Sequence, residues 1–115
     1  MHEYSIVQAL LERVDDAAMA HRALRVHRVQ VSIGEVAGVD VELLKTAFDT
    51  IRRSTICEAA KLDVRSVRAE WVCSHCGIAI VRGAPLRCVD CGGTARLAAG
   101  DEIVLERIEM EAGDV

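Results

Sequence analysis

The chain is poor in rings, with one Phe, one Trp and one Tyr among 115 residues. Several exposed rings on which bases could stack cannot easily be assembled from Tyr4, Phe48 and Trp71, so a single-strand nucleic-acid binder is disfavoured and the core must be aliphatic. Positive charge is also short: 14 basic residues face 18 acidic ones, a formal net charge of -4. Binding phosphates needs a positive stripe, and none is visible. No apolar run approaches the roughly 18 residues that cross a bilayer, and Met1-His2-Glu3-Tyr4 lacks the basic stretch and apolar segment of a secretory signal. A soluble, cytoplasmic protein without membrane or nucleic-acid partners is expected. There is no HExxH, no Walker-type glycine loop with its Lys and no nucleophile elbow, so catalysis is not expected.

Cysteine, by contrast, is conspicuous. Four of the five cysteines form two pairs, Cys73 with Cys76 and Cys88 with Cys91, each pair spaced by two residues. In a reducing compartment such pairs read as a tetrahedral metal site and not as disulfides. Thiolates hold Zn(II) at about 2.3 Å, and two intervening residues let a tight turn aim both sulfurs at one ion. Gly77, Gly92 and Gly93 follow the pairs and permit positive φ there. Four sulfurs close the coordination sphere, which makes Zn(II) structural and leaves no position for an activated water. Iron shares this ligand set. A redox CxxC would need a thioredoxin-like strand and helix around it. His75 inside the first turn is expected to be an exposed spacer, and Cys57 a small buried hydrophobe in preference to a reactive thiol.

Around the cysteines the pattern is that of an α+β domain. From Ser5 to Ala20, Val7, Leu10, Leu11, Val14, Ala17 and Ala18 recur at helical spacing, and Ser5 with Gln8 fits a capping box. Leu24 to Ile33 alternates as a half-buried strand, with a break in parity near His27 that suggests a bulge or a late start. Gly34 to Val39 reads as a loop. Asp40 can then cap a helix whose Leu43, Leu44, Ala47, Phe48 and Ile51 form one stripe. Leu62 to Glu70 and Glu102 to Met110 are two further strands. A strand, a helix and a strand in about forty residues make a right-handed crossover between parallel neighbours. The expected architecture is therefore two layers, with two helices on a three-stranded mixed sheet, and an inserted zinc-ribbon-like four-cysteine module. The domain would comprise residues 1–70 plus 101–115, and the insert residues 71–100, too rich in turns for an apolar core of its own.

The amino terminus offers a second metal chemistry. The amine, the His2 amide nitrogen and the His2 ring can close adjacent chelate rings, which suits a nitrogen-rich ion such as Ni(II) or Cu(II). A histidine near a terminus is more often merely solvated.

The opening Met1-His2-Glu3-Tyr4-Ser5, the strand leading into Gly34-Glu35, the later Asp40 and Phe48, and the cysteines at 73, 76, 88 and 91 together resemble the HypA/HybF family of hydrogenase nickel-insertion proteins. The resemblance covers essentially the whole chain. It implies a metallochaperone that delivers nickel to the large subunit of a nickel-iron hydrogenase, acting with the GTPase HypB, with urease left open as a second recipient. It also implies that Ni(II) is cargo held by Met1, His2 and Glu3, that Asp40 is secondary, and that Cys73, Cys76, Cys88 and Cys91 hold Zn(II). Histidines found beside the second cysteine pair in some members are absent here.

A carrier must release its ion, so a few ligands at an exposed terminus suit cargo better than a closed thiolate cage. Nickel competes with protons at an imidazole and an amine, groups that titrate ordinarily near about 6.5 and 8. Copper outranks nickel at most nitrogen sites, so selectivity must come from partners and availability. Contact with HypB is expected around the first helix and Glu35 to Asp40. A homodimer stays open. The alternative is a zinc-ribbon adaptor for proteins or nucleic acid, and the negative balance favours protein.

Overall fold

The computed structural model describes residues 2–112. The first helix, α1 (His2–Ala20), buries Val7, Leu10, Val14 and Ala18 along one stripe. It begins ahead of the expected Ser5, which sits inside the helix and exposed and therefore does not cap it. Glu3 in the first turn supplies the negative charge that a helix start favours.

Strand β1 (Ala23–Gly34) buries Val26, Val29, Val31 and Ile33. It runs from Ala23 without a late start, but its inward parity changes between Val26 and Val29, and the Val26 N–H donates to the Ile56 carbonyl at 3.2 Å. Helix α2 (Val41–Ile51) has Asp40 as its N-cap and packs on α1. Leu44, Ala47 and Phe48 are buried, and each large side chain removed from water contributes about 1.5–3 kcal/mol. The chain continues through β2 (Lys61–Val67), β3 (Glu70–Cys73), β4 (Ala79–Ile80), β5 (Ala95–Ala99) and β6 (Ile103–Ala112). The single strand expected over Leu62 to Glu70 is thus two, interrupted at Arg68 and Ala69. No helix among the described residues is long and apolar enough to cross a membrane.

One sheet has the order β2-β1-β6. Arg28 reaches Asp63 and the Glu35 amide reaches the Val67 carbonyl, so β1 and β2 ascend together. Arg25 pairs with Glu111 and Arg28 with Glu109, and the Gly34 amide donates to Glu102, so β6 descends against β1. The sheet is mixed, with two helices, giving an α+β fold. A second sheet, β4-β3-β5, is antiparallel, with Trp71 opposite both Ile80 and Leu97 and Cys73 opposite Ala95.

The chain divides into two compact units. One contains α1, β1 up to Ser32, Val39–Arg65 and β6 from Val104 onward; the other contains Ile33–Gly38 and Ser66–Ile103. The cysteine unit therefore extends beyond residues 71–100. Its added segment is held by backbone: the amides of Gly34, Glu35 and Val36 each donate over 2.8 Å, to Glu102, Val67 and Gly100. A Cβ on Gly34 would lie 2.0 Å from the Gly100 carbonyl oxygen, so this crossing accepts only glycine.

Candidate metal centres

Strand β3 delivers Cys73 to the first of two turns built alike. The Gly77 amide donates to the Cys73 carbonyl at 3.0 Å, and the Cys73 amide to the Ile78 carbonyl at 2.9 Å. Fifteen residues on, the Gly92 amide donates to Cys88 at 3.0 Å and the Cys88 amide to Gly93 at 2.9 Å. Gly77 and Gly92 adopt φ of 78° and 72°, as these turns require. Ser74 ties the turns together, donating through its amide at 2.9 Å and its hydroxyl at 2.8 Å to the Thr94 carbonyl.

The turns bring all four sulfurs within 4.8 Å of one another. Cys73 lies 3.4 Å from Cys91, Cys76 3.7 Å from Cys88 and Cys91 3.9 Å from Cys76. A tetrahedron with metal–sulfur bonds of about 2.3 Å has sulfur–sulfur edges of about 3.8 Å, so the donor set fits an ion of that size. The amides of Cys76 and His75 point at the Cys73 sulfur and hold its thiol down at about 6. Cys91, although the Gly93 amide favours its thiolate, is pushed up to about 12 by Cys73 beside it and by desolvation. Four adjacent sulfurs cannot all ionise alone, and a divalent cation removes that conflict.

Gly93 serves this packing and not a turn. It lies outside the positive-φ glycines, and a Cβ there would sit 3.0 Å from the Cys73 sulfur and 3.2 Å from that of Cys91. His75 is exposed, as expected of a spacer, and contributes its amide to the site. Cys57 is fully buried, and desolvation followed by Asp15 pushes its thiol up to about 11, which fits a small apolar residue.

The amino-terminal candidates lie in the other unit. Met1 falls outside the described residues. His2 opens α1 and is exposed. Amides in the first turn of a helix have no intrahelical acceptor; that of Glu3 turns to its own carboxylate, which leaves that of His2. Glu3 is only 8 % exposed, and its carboxylate accepts the Asp40 amide at 3.0 Å. That bond, with the Glu3 amide itself, holds the Glu3 carboxyl below its ordinary value. The Asp40 side chain meanwhile accepts the Leu43 amide at 3.1 Å, the helix cap expected of it. The structure thus brings Glu3 and Asp40 together, joined by the Asp40 backbone.

Sequence reasoning missed the role of Glu35. Its carboxylate takes a two-pronged contact from the Arg82 guanidinium, one prong at 2.8 Å, and also accepts the Ala69 amide at 2.8 Å. Arg82 first and the Ala69 amide second hold the Glu35 carboxyl at about 2. Nothing in the spacing of these residues announces the contact.

A family profile described as "Hydrogenase/urease nickel incorporation, metallochaperone, hypA" matches residues 1–110. The chain is 35% identical over 113 residues to the hydrogenase maturation factor HypA of Shewanella baltica (strain OS185), covering 96% of this chain and 97% of that protein. It is likewise 35% identical over 114 residues to HypA of Caldanaerobacter subterraneus subsp. tengcongensis, covering 96% and 100%. Among solved structures, it is similar to the solution structure of the Ni metallochaperone HypA from Helicobacter pylori, with TM-score 0.74, 30% identity and coverage of 96% and 98%. A second solution structure, of a HypA protein, gives TM-score 0.81 and 32% identity over 98% of each chain.

Proposed function

Because the chain belongs to the HypA family of nickel-incorporation metallochaperones for hydrogenase, we propose that it carries Ni(II) on its amino-terminal segment and Zn(II) in its four-cysteine site. A metallochaperone is a carrier and not an enzyme, and the two centres divide its work. Cys73, Cys76, Cys88 and Cys91 would hold Zn(II) permanently and supply cohesion. The Met1 amine, the His2 ring and the His2 amide would hold nickel as cargo. Glu3 and Asp40 border that site, Asp40 in the secondary place.

The observation that carries this reading is the start of α1. An exposed imidazole lies there beside a first-turn amide without an intrahelical acceptor, on a helix whose first turn is fastened by Glu3 to the Asp40 amide. Such an open, nitrogen-rich set can give up its ion to a better ligand, as a closed thiolate cage cannot. Copper would outcompete nickel at these donors, so discrimination falls to partners. These would be HypB and the hydrogenase large subunit, met in the cytoplasm, with urease as a further recipient.

For HypB the contact surface would be α1 and the Glu35 to Asp40 loop. Glu35 is a poor probe of it, because its reversal would also release Arg82. Val36 on the same loop is 47 % exposed and carries no charge whose reversal would release an ion pair. Val36→Asp should weaken HypB binding while leaving zinc content unchanged.

Native mass spectrometry with Ni(II) on three untagged or defined forms tests the cargo site: the unmodified chain, His2→Ala, and a chain with two residues added before Met1. Nickel should bind the first only. Retention by the extended chain would remove the amine from the ligand set, and retention by His2→Ala would overturn the site. Nickel affinity should also fall as pH drops from 8 to 6, and a constant dissociation constant by calorimetry would count against imidazole and amine ligation.

A further inference from the structure

Beside Cys88 lies a groove of about 290 Å³ that neither metal centre uses, with Val81, Pro85 and Val89 in its wall. Val89 is 93 % exposed and Val81 77 % exposed, so aliphatic surface is concentrated here on a unit that buries little of it. A patch of this kind on a soluble protein marks an interaction site.

One side of the groove is β4, whose backbone phase is fixed by its neighbour. The Cys73 amide bonds to the Ile78 carbonyl and Trp71 stands opposite Ile80, so Ile78 and Ile80 direct their backbone polar groups toward β3. Ala79 between them therefore directs its amide and carbonyl away from the sheet. Strand β4 is an outer strand, and among the described residues these two groups have no partner. Turns close the strand at both ends, the Gly77 amide folding back to Cys73 and the Ala84 amide to Val81. The open edge is thus one residue long, and it borders the groove, whose lining includes Ala79.

The chemistry of the occupant follows. A donor and an acceptor on an open strand edge are matched by extended backbone, whereas a helix spends its own amides and carbonyls internally. Side chains of an added strand alternate, so every second one can enter the aliphatic groove. Arg87 is the one charged residue in the wall, and among the described residues it forms no ion pair, whereas Arg82 is taken by Glu35. Asp90 lies outside the lining. A cation unopposed beside apolar surface calls for a carboxylate.

We propose that this groove binds an extended segment of another protein. Main-chain bonds to Ala79 would set its register, aliphatic side chains would cover Val81 and Val89, and a carboxylate would meet Arg87. This is a docking function in addition to ion carriage. Long-range attraction does not drive it, because the chain's net charge is -4; aliphatic burial supplies the affinity, and Arg87 selects against basic segments.

Selection of displayed random eight-residue segments on the full chain loaded with zinc tests this. Enriched segments should carry aliphatic residues at alternate positions and an acidic residue, and selection on Arg87→Glu should exchange the acidic residue for a basic one. The most enriched segment, synthesised with both ends blocked, should lose at least about tenfold in affinity on Val81→Asp, the scale of an interface hot spot. Ala79→Pro should do the same, because it deletes the outward amide at an edge position where proline leaves the sheet's own bonds intact. Zinc content measured on each variant separates loss of the groove from damage to the cysteine turns. N-methylation of the segment, one residue at a time, repeats the main-chain test on unaltered protein and should abolish binding at one position. Absence of enrichment, aliphatic residues recurring every three or four positions as in a helix, an unchanged charge preference on Arg87→Glu, or indifference to N-methylation would each overturn the proposal. So would an affinity that falls as protein concentration rises, which would put a second copy of the chain in the groove.

Discussion

The helix-bearing unit and the cysteine unit solve the problem of cohesion differently. The first buries Val7, Val14, Leu44 and Phe48 from its helices and Val29 and Val31 from β1, a largely aliphatic core that needs nothing from outside. In the second, the buried side chains are Ile33, Cys73 and Cys88. Where the first unit places hydrocarbon, the second places mostly sulfur, and clustered thiolates cohere around an ion. With the proposed ion bound, folding free energy would therefore come from side-chain packing in one unit and largely from coordination bonds in the other.

The contrast is broken most directly by removing the metal. With the Zn(II) proposed for this site, chelation, or Cys88→Ser, should abolish the order of the cysteine unit while the helices persist, since structural zinc contributes about 10–16 kcal/mol in small metal-folded domains. Amide exchange resolved by unit would check this, and simultaneous melting of both would refute the division. Phe48→Ala is the converse experiment. It should cost the helix-bearing unit about 3–5 kcal/mol in chemical denaturation and leave the metal content of the cysteine unit unchanged.

Gly93→Ala is smaller and sharpens the point. Its methyl would press on the Cys73 and Cys91 sulfurs, at about 1–3 kcal/mol for an overpacked site, and should distort the visible spectrum of a cobalt-substituted sample. An unperturbed cobalt spectrum would mean that the sulfurs have room to give way.

The smallest effect concerns acid. Glu3 has a lowered folded value relative to the ordinary 4.5, so its contribution is complete above that value and lost as pH falls through the lower one. In nickel-free protein, Glu3→Gln should flatten this part of the stability profile of the helix-bearing unit between pH 6 and 3. Parallel profiles would show that the Asp40 amide does not distinguish carboxylate from amide.

What was legible in the sequence was local. The Asp40 cap and the stripe from Leu43 to Ile51 lie within one helix, and each cysteine pair lies within one turn, so spacing alone carries them. The features that escaped depend on distant chain. Ser5 looked like a cap because the partner that lets the helix begin at His2 is Glu3's contact with Asp40, 37 residues away. The expected strand over Leu62 to Glu70 breaks where Gly100 passes Ala69 so closely that a Cβ on Gly100 would lie 2.6 Å from the Ala69 Cα. Gly93 resembled a turn glycine until the opposite turn's sulfur was set beside it. Glu35 and Arg82, 47 residues apart, carry no common pattern at all.

That Ile33–Gly38 belongs with the cysteine unit has a consequence for heredity. A contiguous stretch encoding 66–103 would inherit Arg82 and the Ala69 amide but leave their carboxylate behind, along with the glycine that fits against Gly100. Grafted elsewhere as one contiguous cassette, the cysteine-bearing portion would lose those contacts; to keep them, a short passage encoded well upstream would have to travel with it.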